Sequence, residues 1–217
     1  MVMSCVIVIA HQKGGVGKST IAANIAVELS KQFDVKVIDL DFQKSLTYFN
    51  NKRIKQNLSP LNIIKIDSTN ELKNILNSGN GIYVIDTGGF DADMNRLAIA
   101  GADLLLTPVS DAEIEQVGLL SFREILRDIR KHRKDLRASI LLNRIHQWAN
   151  TSLSDVCEFI KANPEFVQYP HILRDRADYK KAFSEGKSVI EYNKNAVIEM
   201  KLLVEEISTF LKEENHG

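Results

Sequence analysis

Short apolar runs rich in β-branched residues alternate along the chain with longer stretches whose apolar positions recur every three or four residues. "CVIVIA" (Cys5–Ala10) reads as a strand buried on both faces. Further strands are predicted at "VKVIDLD" (Val35–Asp41), "NIIKI" (Asn62–Ile66), "GIYVIDT" (Gly81–Thr87), "DLLLTPV" (Asp103–Val109) and "ASILLNR" (Ala138–Arg144), with a short one over Val167–Leu173. Between them a helix over Ser19–Lys31 gathers Ile21, Ala22, Ile25, Ala26 and Leu29 on one side. Others run over Ile114–Arg133 and Leu153–Lys161, and a last one over Ala196–Lys212 turns Val197, Met200, Leu203, Val204 and Ile207 inward. Phe42–Asn62 and Asn143–Leu153 give the weakest patterns. Strand and helix in alternation predict an α/β fold, a mostly parallel twisted sheet flanked by helices on both faces. Such sheets bind ligands at the C-terminal ends of their strands.

Composition narrows the class. The 217 residues suit one domain spanning 1–217, and 44% hydrophobic residues supply a full core. Lys+Arg and Asp+Glu both total 28, so no general charge draws the chain to nucleic acid or membrane, and such binding requires a local patch. Cys5 and Cys157 form neither a disulfide framework nor a metal-site spacing. "CVIVIA" is too short to span a bilayer, and the N-terminus lacks a signal pattern. The expected location is the cytoplasm.

The candidate chemistry lies just after the first strand, in "HQKGGVGKST" (His11–Thr20). Strand, glycines, Lys-Ser and helix are the context of a phosphate loop. Backbone N–H groups of Gly14, Gly15, Val16 and Gly17 turn toward phosphate oxygens, and the helix start adds its positive dipole end. Lys18 is placed to reach the β- and γ-phosphates, and Ser19 to ligate Mg²⁺. The loop departs from G-x-x-x-x-G-K-[ST]: Gln12 replaces the leading glycine, and an additional lysine, Lys13, follows it. Asp86 ends its strand and fits an acid that holds Mg²⁺ through water. Asp39 and Asp41 end theirs, and either can face the phosphates.

"KGGVGKST" (Lys13–Thr20) resembles the deviant Walker A motif of the ParA/MinD family of ATPases. "DLDFQKS" (Asp39–Ser45) resembles its Walker A′ segment, and "IDTGG" (85–89) stands where the family has Walker B. Arg174–Tyr192 is similar to its C-terminal segment, and the length to small plasmid-partition ParA proteins. The resemblance implies a P-loop NTPase fold of the SIMIBI type, with ATP and Mg²⁺ as cofactors. It implies a homodimer with ATP sandwiched between subunits. Lys13 then reaches the partner's nucleotide, much as an arginine finger does. By the same resemblance Asp41 positions the attacking water, Asp39, Asp86 and Ser19 serve the metal, Thr20 touches the α-phosphate, and Asn143 contacts adenine. Phe42 and Gly88-Gly89 depart from the family's usual prolines, in loops that respond to nucleotide.

The resemblance implies weak ATP hydrolysis stimulated by a ParB-like adaptor, non-specific DNA binding, and partition of a plasmid or chromosome. Two basic groups are candidates for the DNA surface. Arg123, Arg127, Arg130, Lys134 and Arg137 form a stripe along one predicted helix, which can also be an ordinary solvated face. Arg174, Arg176, Lys180 and Lys181 form the second group. A membrane-riding MinD-like role requires a basic amphipathic C-terminus, whereas "TFLKEENHG" is acidic. The same residues would also serve an ATPase that positions a different cargo, or an ATP-dependent scaffold with little turnover.

Overall fold

The computed structural model describes residues 4–89, 92–110, 113–146 and 150–214. Among these residues seven strands form one parallel sheet in the order β3-β2-β4-β1-β5-β6-β7. They are β1 (Cys5–Ile9), β2 (Val35–Asp39), β3 (Asn62–Ile64), β4 (Ile82–Asp86), β5 (Leu104–Val109), β6 (Ala138–Ile145) and β7 (Phe166–Arg174). Helices fill every crossover: α1 (Lys18–Leu29), α2 (Ser45–Lys55), α3 (Thr69–Ser78), α4 (Asp93–Ala100), α5 (Glu113–Arg130) and α6 (Asn150–Ala162). After β7 come α7 (Ala177–Ser184), the single turn α8 (Val189–Tyr192) and α9 (Val197–Glu214).

The alternation of side chains along β1 divides the core in two. Cys5, Ile7 and Ile9 face α1, α2, α7, α8 and α9, while Val6, Val8 and Ala10 face α3, α4, α5 and α6. Both faces are thus covered, which is why the strands read as continuous apolar runs. Helix α1 is buried nearly all round, and its alanines 22, 23 and 26 let neighbouring backbones approach closely.

Five helices add to the sequence reading. In α2 only Leu46, Phe49 and Arg53 are buried, so one of its three inward positions is an arginine and the apolar period is hidden. The Arg53 guanidinium donates to Ser59 O, to Gly186 O and to both carboxylate oxygens of Glu191. Burial pushes the Glu191 carboxyl up, but Arg53 and the Ser188 amide outweigh burial and hold it below its usual range. Ser188 and Glu191 form a capping box that starts α8. Helices α3, α4 and α7 are short, of 10, 8 and 8 residues, so each offers only two or three turns of pattern to read. Strand β7 is longer than predicted; it lies at the sheet edge, where Pro170 costs no central ladder bond. Among the described residues, no helix is long and apolar enough to cross a membrane.

Candidate nucleotide site

The register of the central strands builds the site. Ile9 of β1 and Asp39 of β2 both pair with Asp86 of β4, so three strands end level. The loop from β1 to α1 turns over this edge. Gly15 (φ 80°) and Gly17 (φ 98°) take left-handed backbone that disfavours side chains, and Gly17 caps α1 by accepting from Ile21 N at 3.0 Å. An open cleft follows, walled by Gly14, Gly15, Gly17, Lys18, Ser19 and Thr20 on one side and by Asp41, Phe42, Gln43 and Ser45 on the other. Gly89 closes one end; a Cβ there would lie 2.9 Å from Gly14 N. Gly89 of "IDTGG" therefore lets the chain after β4 rest on the phosphate loop.

Lys18 is buried, and its ammonium donates to Lys13 O at 3.0 Å, closing the loop on itself. Asp86 is fully buried below it, and neither carboxylate oxygen has a hydrogen-bond partner at bonding geometry. Burial, then the charges of Asp39 and Asp41, push the Asp86 carboxyl up to about 8 against the opposing pull of Ser19 and Lys18. Burial likewise lowers the Lys18 ammonium, against the attraction of Asp86 and Asp41. For both groups desolvation outweighs their mutual attraction.

The two carboxylates of β2 part company. Asp39 accepts from Asp41 N and Thr47 N, each at 3.2 Å, and from Thr47 Oγ1 at 3.3 Å; burial raises its carboxyl. It thereby fixes the turn into α2 and the start of that helix. Both of its oxygens thus accept hydrogen bonds from the turn, while its expected part toward a metal stays a proposal. Asp41 lines the cleft and accepts from Gln43 N at 2.9 Å through Oδ1.

Unpartnered Asp86 oxygens next to Ser19 fit a divalent cation. Among the described residues no cluster of three or more His, Cys, Asp or Glu side chains could hold one. Phosphate oxygens and water must complete the shell around such an ion, as is usual for Mg²⁺.

Asn143 is buried at the end of β6 and donates to Val16 O at 2.7 Å. Its neighbour Arg144 (φ 59°) donates to Gly15 O at 3.2 Å. An irregularity in the β6–β7 pairing between Asn143 and Ile145 aims both at the loop. Asn143 also borders a second cleft with Gly15, Gly17, Thr20, Arg144, Arg174 and Arg176. Lys180 lines this cleft too, so three residues of the second basic group lie close to the loop. Arg176 is held by Glu199 at 3.0 Å, while Arg174, Lys180 and Lys181 are exposed.

The first basic group has a different fate. Arg123 donates to Asn163 at 2.7 Å, Arg127 to Glu165 at 2.8 Å, Arg130 to Leu136 O at 2.6 Å and Arg137 to Phe166 O at 2.9 Å. Arg123, Arg127 and Arg130 tie α5 to the α6–β7 connection and to the loop before β6, and Arg137, beyond the end of α5, ties that loop to the start of β7. Sequence reasoning missed Arg144, His11 and the buried chain from Thr20 O through Asn24 to Val189 N. Only the adjacency of Arg144 to the strand-end Asn143 could have signalled any of them.

A glycine loop at a helix start, a lysine within it and strand-end acids below define a phosphate-loop nucleotide-binding protein. Residues 7–189 match the CobQ/CobB/MinD/ParA nucleotide binding domain, and the chain belongs to that family. It is 24% identical over 189 residues to maintenance of carboxysome distribution protein A of Halothiobacillus neapolitanus, covering 84% of this chain and 85% of that protein. It is 25% identical over 190 residues to protein ParA of Rhizobium radiobacter, covering 83% of each. A plasmid partition protein of Borrelia burgdorferi bound to AMPPNP has the same fold, with TM-score 0.69, 24% identity, and coverage of 97% of this chain and 100% of that one.

Proposed function

We propose that the protein is an ATP hydrolase that dimerises on ATP and uses that cycle to distribute DNA or another large cargo. The observation that carries this reading is the pairing of the phosphate loop with a second lysine, Lys13, directly before its glycines and with Asp41 on the opposite wall of the cleft. Backbone N–H groups from Gly14 to Thr20 bind the phosphates. Lys18 leaves Lys13 O and turns to the β- and γ-phosphates. Ser19 and Asp86 would hold Mg²⁺ beside the phosphates, where the ion would neutralise charge on the transferred group. Asp41 accepts a hydrogen bond from the attacking water and orients it. Lys13 contacts phosphates bound by the partner subunit, so dimerisation depends on ATP. Asn143 fixes the loop and borders the space beside it where adenine fits.

In this reading DNA is gripped without sequence preference by Arg174, Arg176, Lys180 and Lys181, and a ParB-like adaptor accelerates slow turnover. The stripe of Arg123, Arg127 and Arg130 contributes nothing, because its charges are engaged within the molecule. The likeness to the plasmid partition protein of Borrelia burgdorferi favours DNA partition, and that to the carboxysome distribution protein of Halothiobacillus neapolitanus favours a carboxysome-like cargo. One experiment separates them: binding to a random-sequence duplex with no nucleotide, ADP, ATP or AMPPNP, across a salt series. Binding that needs ATP or AMPPNP and weakens with salt supports partition. Absence of binding with every nucleotide rejects the DNA surface and leaves the positioning ATPase. Dimerisation that survives Lys13→Ala would reject the role of Lys13 across the interface.

A further inference from the structure

We propose that His11 is a positioning residue for Lys13, an inference that rests on the reading of Lys13 given above. His11 is buried at the end of β1, two residues before Lys13. Its Nδ1 accepts the backbone N–H of Lys13 at 2.9 Å. An acceptor Nδ1 in a neutral imidazole requires the proton on Nε2. The ring is kept neutral because burial, and then the charges of Lys18 and Lys13, push its pKa down to about 4.

The other side of the ring is braced by α5. Phe122 stacks on it at 6.2 Å between centroids and 20° between planes. One helical turn earlier, Gly118 leaves the space the ring fills: a Cβ there would lie 2.9 Å from His11 Cε1 and 3.7 Å from the Lys13 Cβ. Nothing in a phosphate loop asks for this imidazole. Its Nε2 is buried without a partner, in the wall of a small cavity shared with Thr87, Asn95 and Arg96. A side chain accepting a backbone N–H two residues on fixes the turn between them, as Asn does in an Asx-turn. It therefore fixes the direction in which the Lys13 side chain leaves the loop.

The backbone of Lys13 is held on both sides, its N–H donating to His11 and its carbonyl accepting from Lys18. Lys18 must abandon that carbonyl to reach phosphate. The bond from His11 then remains on Lys13 at the moment the lysine reaches across to a second subunit.

Three variants test this, with Lys13→Ala as the reference. His11→Phe keeps the ring volume and removes the acceptor. His11→Asn supplies an acceptor at the same i to i+2 spacing. Gly118→Ala drives the ring off its seat while raising helix propensity, so a loss cannot come from a weakened α5. Each is measured by thermal melting, by fluorescent-nucleotide affinity of the monomer, by sedimentation velocity with AMPPNP, and by kcat and KM for ATP.

For His11→Phe and Gly118→Ala the expected result is monomer affinity within about twofold of wild type, with dimerisation and kcat down by about tenfold, the effect of roughly one hydrogen bond. His11→Asn restores both. Should His11→Phe fail to fold, Gly118→Ala and His11→Asn decide alone. Equal losses in His11→Phe and His11→Asn would mean that ring shape matters rather than the acceptor, and would overturn the proposal. So would wild-type dimerisation in His11→Phe alongside its loss in Lys13→Ala. A Lys13→Ala variant that dimerises like wild type would instead sink the reading of Lys13, and this inference with it.

Discussion

Replacing Asp86 by Asn is expected to remove a pH dependence of stability whose sign and size follow from burial. In an unfolded chain an Asp carboxyl titrates near 3.9. In the folded, ligand-free protein Asp86 titrates at about 8, chiefly because it is fully buried. Between these values the folded state holds a proton that the unfolded state has lost. Unfolding therefore releases a proton, and stability falls as pH rises. The slope from this one group is about 1.4 kcal/mol per pH unit, or about 3 kcal/mol from pH 5 to pH 7. Below about pH 4 both states are protonated and above about pH 8 both are ionised, so the contribution is flat outside the window. The Asp86→Asn variant lacks the titration, while every other group is shared. Urea unfolding without nucleotide or divalent metal, at pH 5, 6 and 7, gives two curves, and their difference isolates the group. Wild type should lose stability faster by about 1.4 kcal/mol per pH unit. Parallel curves would refute the reasoning, because they would mean a carboxylate already ionised at pH 5. Mg²⁺ with ATP favours the ionised carboxylate, so its addition should abolish the difference in slope.

Three further outcomes follow from geometry. Gly17→Ala forces a side chain onto φ 98° and puts its Cβ 2.6 Å from Asn143 Nδ2; a loss of about 2–4 kcal/mol in a melt and at least tenfold in nucleotide affinity is expected. Arg53→Met strands the partly buried Glu191 carboxylate and should cost about 3–5 kcal/mol in urea unfolding, much of it recovered when Glu191→Leu is added. Lys180→Ala is expected to weaken DNA binding and reduce its salt slope by about one, whereas Arg130→Ala, which removes a donor already bonded to Leu136 O, should leave the slope unchanged in a fluorescence-anisotropy titration.

Much of this molecule was legible in its pattern. Every predicted strand exists, because a parallel sheet covered on both faces writes itself as uninterrupted apolar runs such as Cys5–Ile9 and Ile82–Asp86. The phosphate loop was legible too, since Gly17 and Lys18 must stand at fixed offsets from a helix start. Helix α2 was not, because its inward face is completed by Arg53, whose charge is satisfied by residues far along the chain. Spacing did not separate Asp39 from Asp41 either; the difference between them is tertiary, the Thr47 amide bonding Asp39 while Asp41 lines the cleft. The basic stripe from Arg123 to Arg137 shows the converse. Helical spacing reported that its arginines share a face, but not that Asn163, Glu165 and two backbone carbonyls wait opposite.

The position of β1 at the centre of the sheet governs the order in which the site can come into being. Its neighbours are β4 and β5, so Cys5 pairs with Ile82 and Ile7 with Leu104. During synthesis the residues from Lys13 to Thr20 are made well before the strand that carries Asp86, which follows only after the three helical crossovers through α1, α2 and α3. At about 5–20 residues per second this gap lasts several seconds. Throughout that interval the emerging chain exposes the apolar run of β1 and has no framed loop to offer a nucleotide. ATP can thus stabilise only a nascent chain grown at least past β4, and the interval before it is when this protein is most open to chaperones and to aggregation.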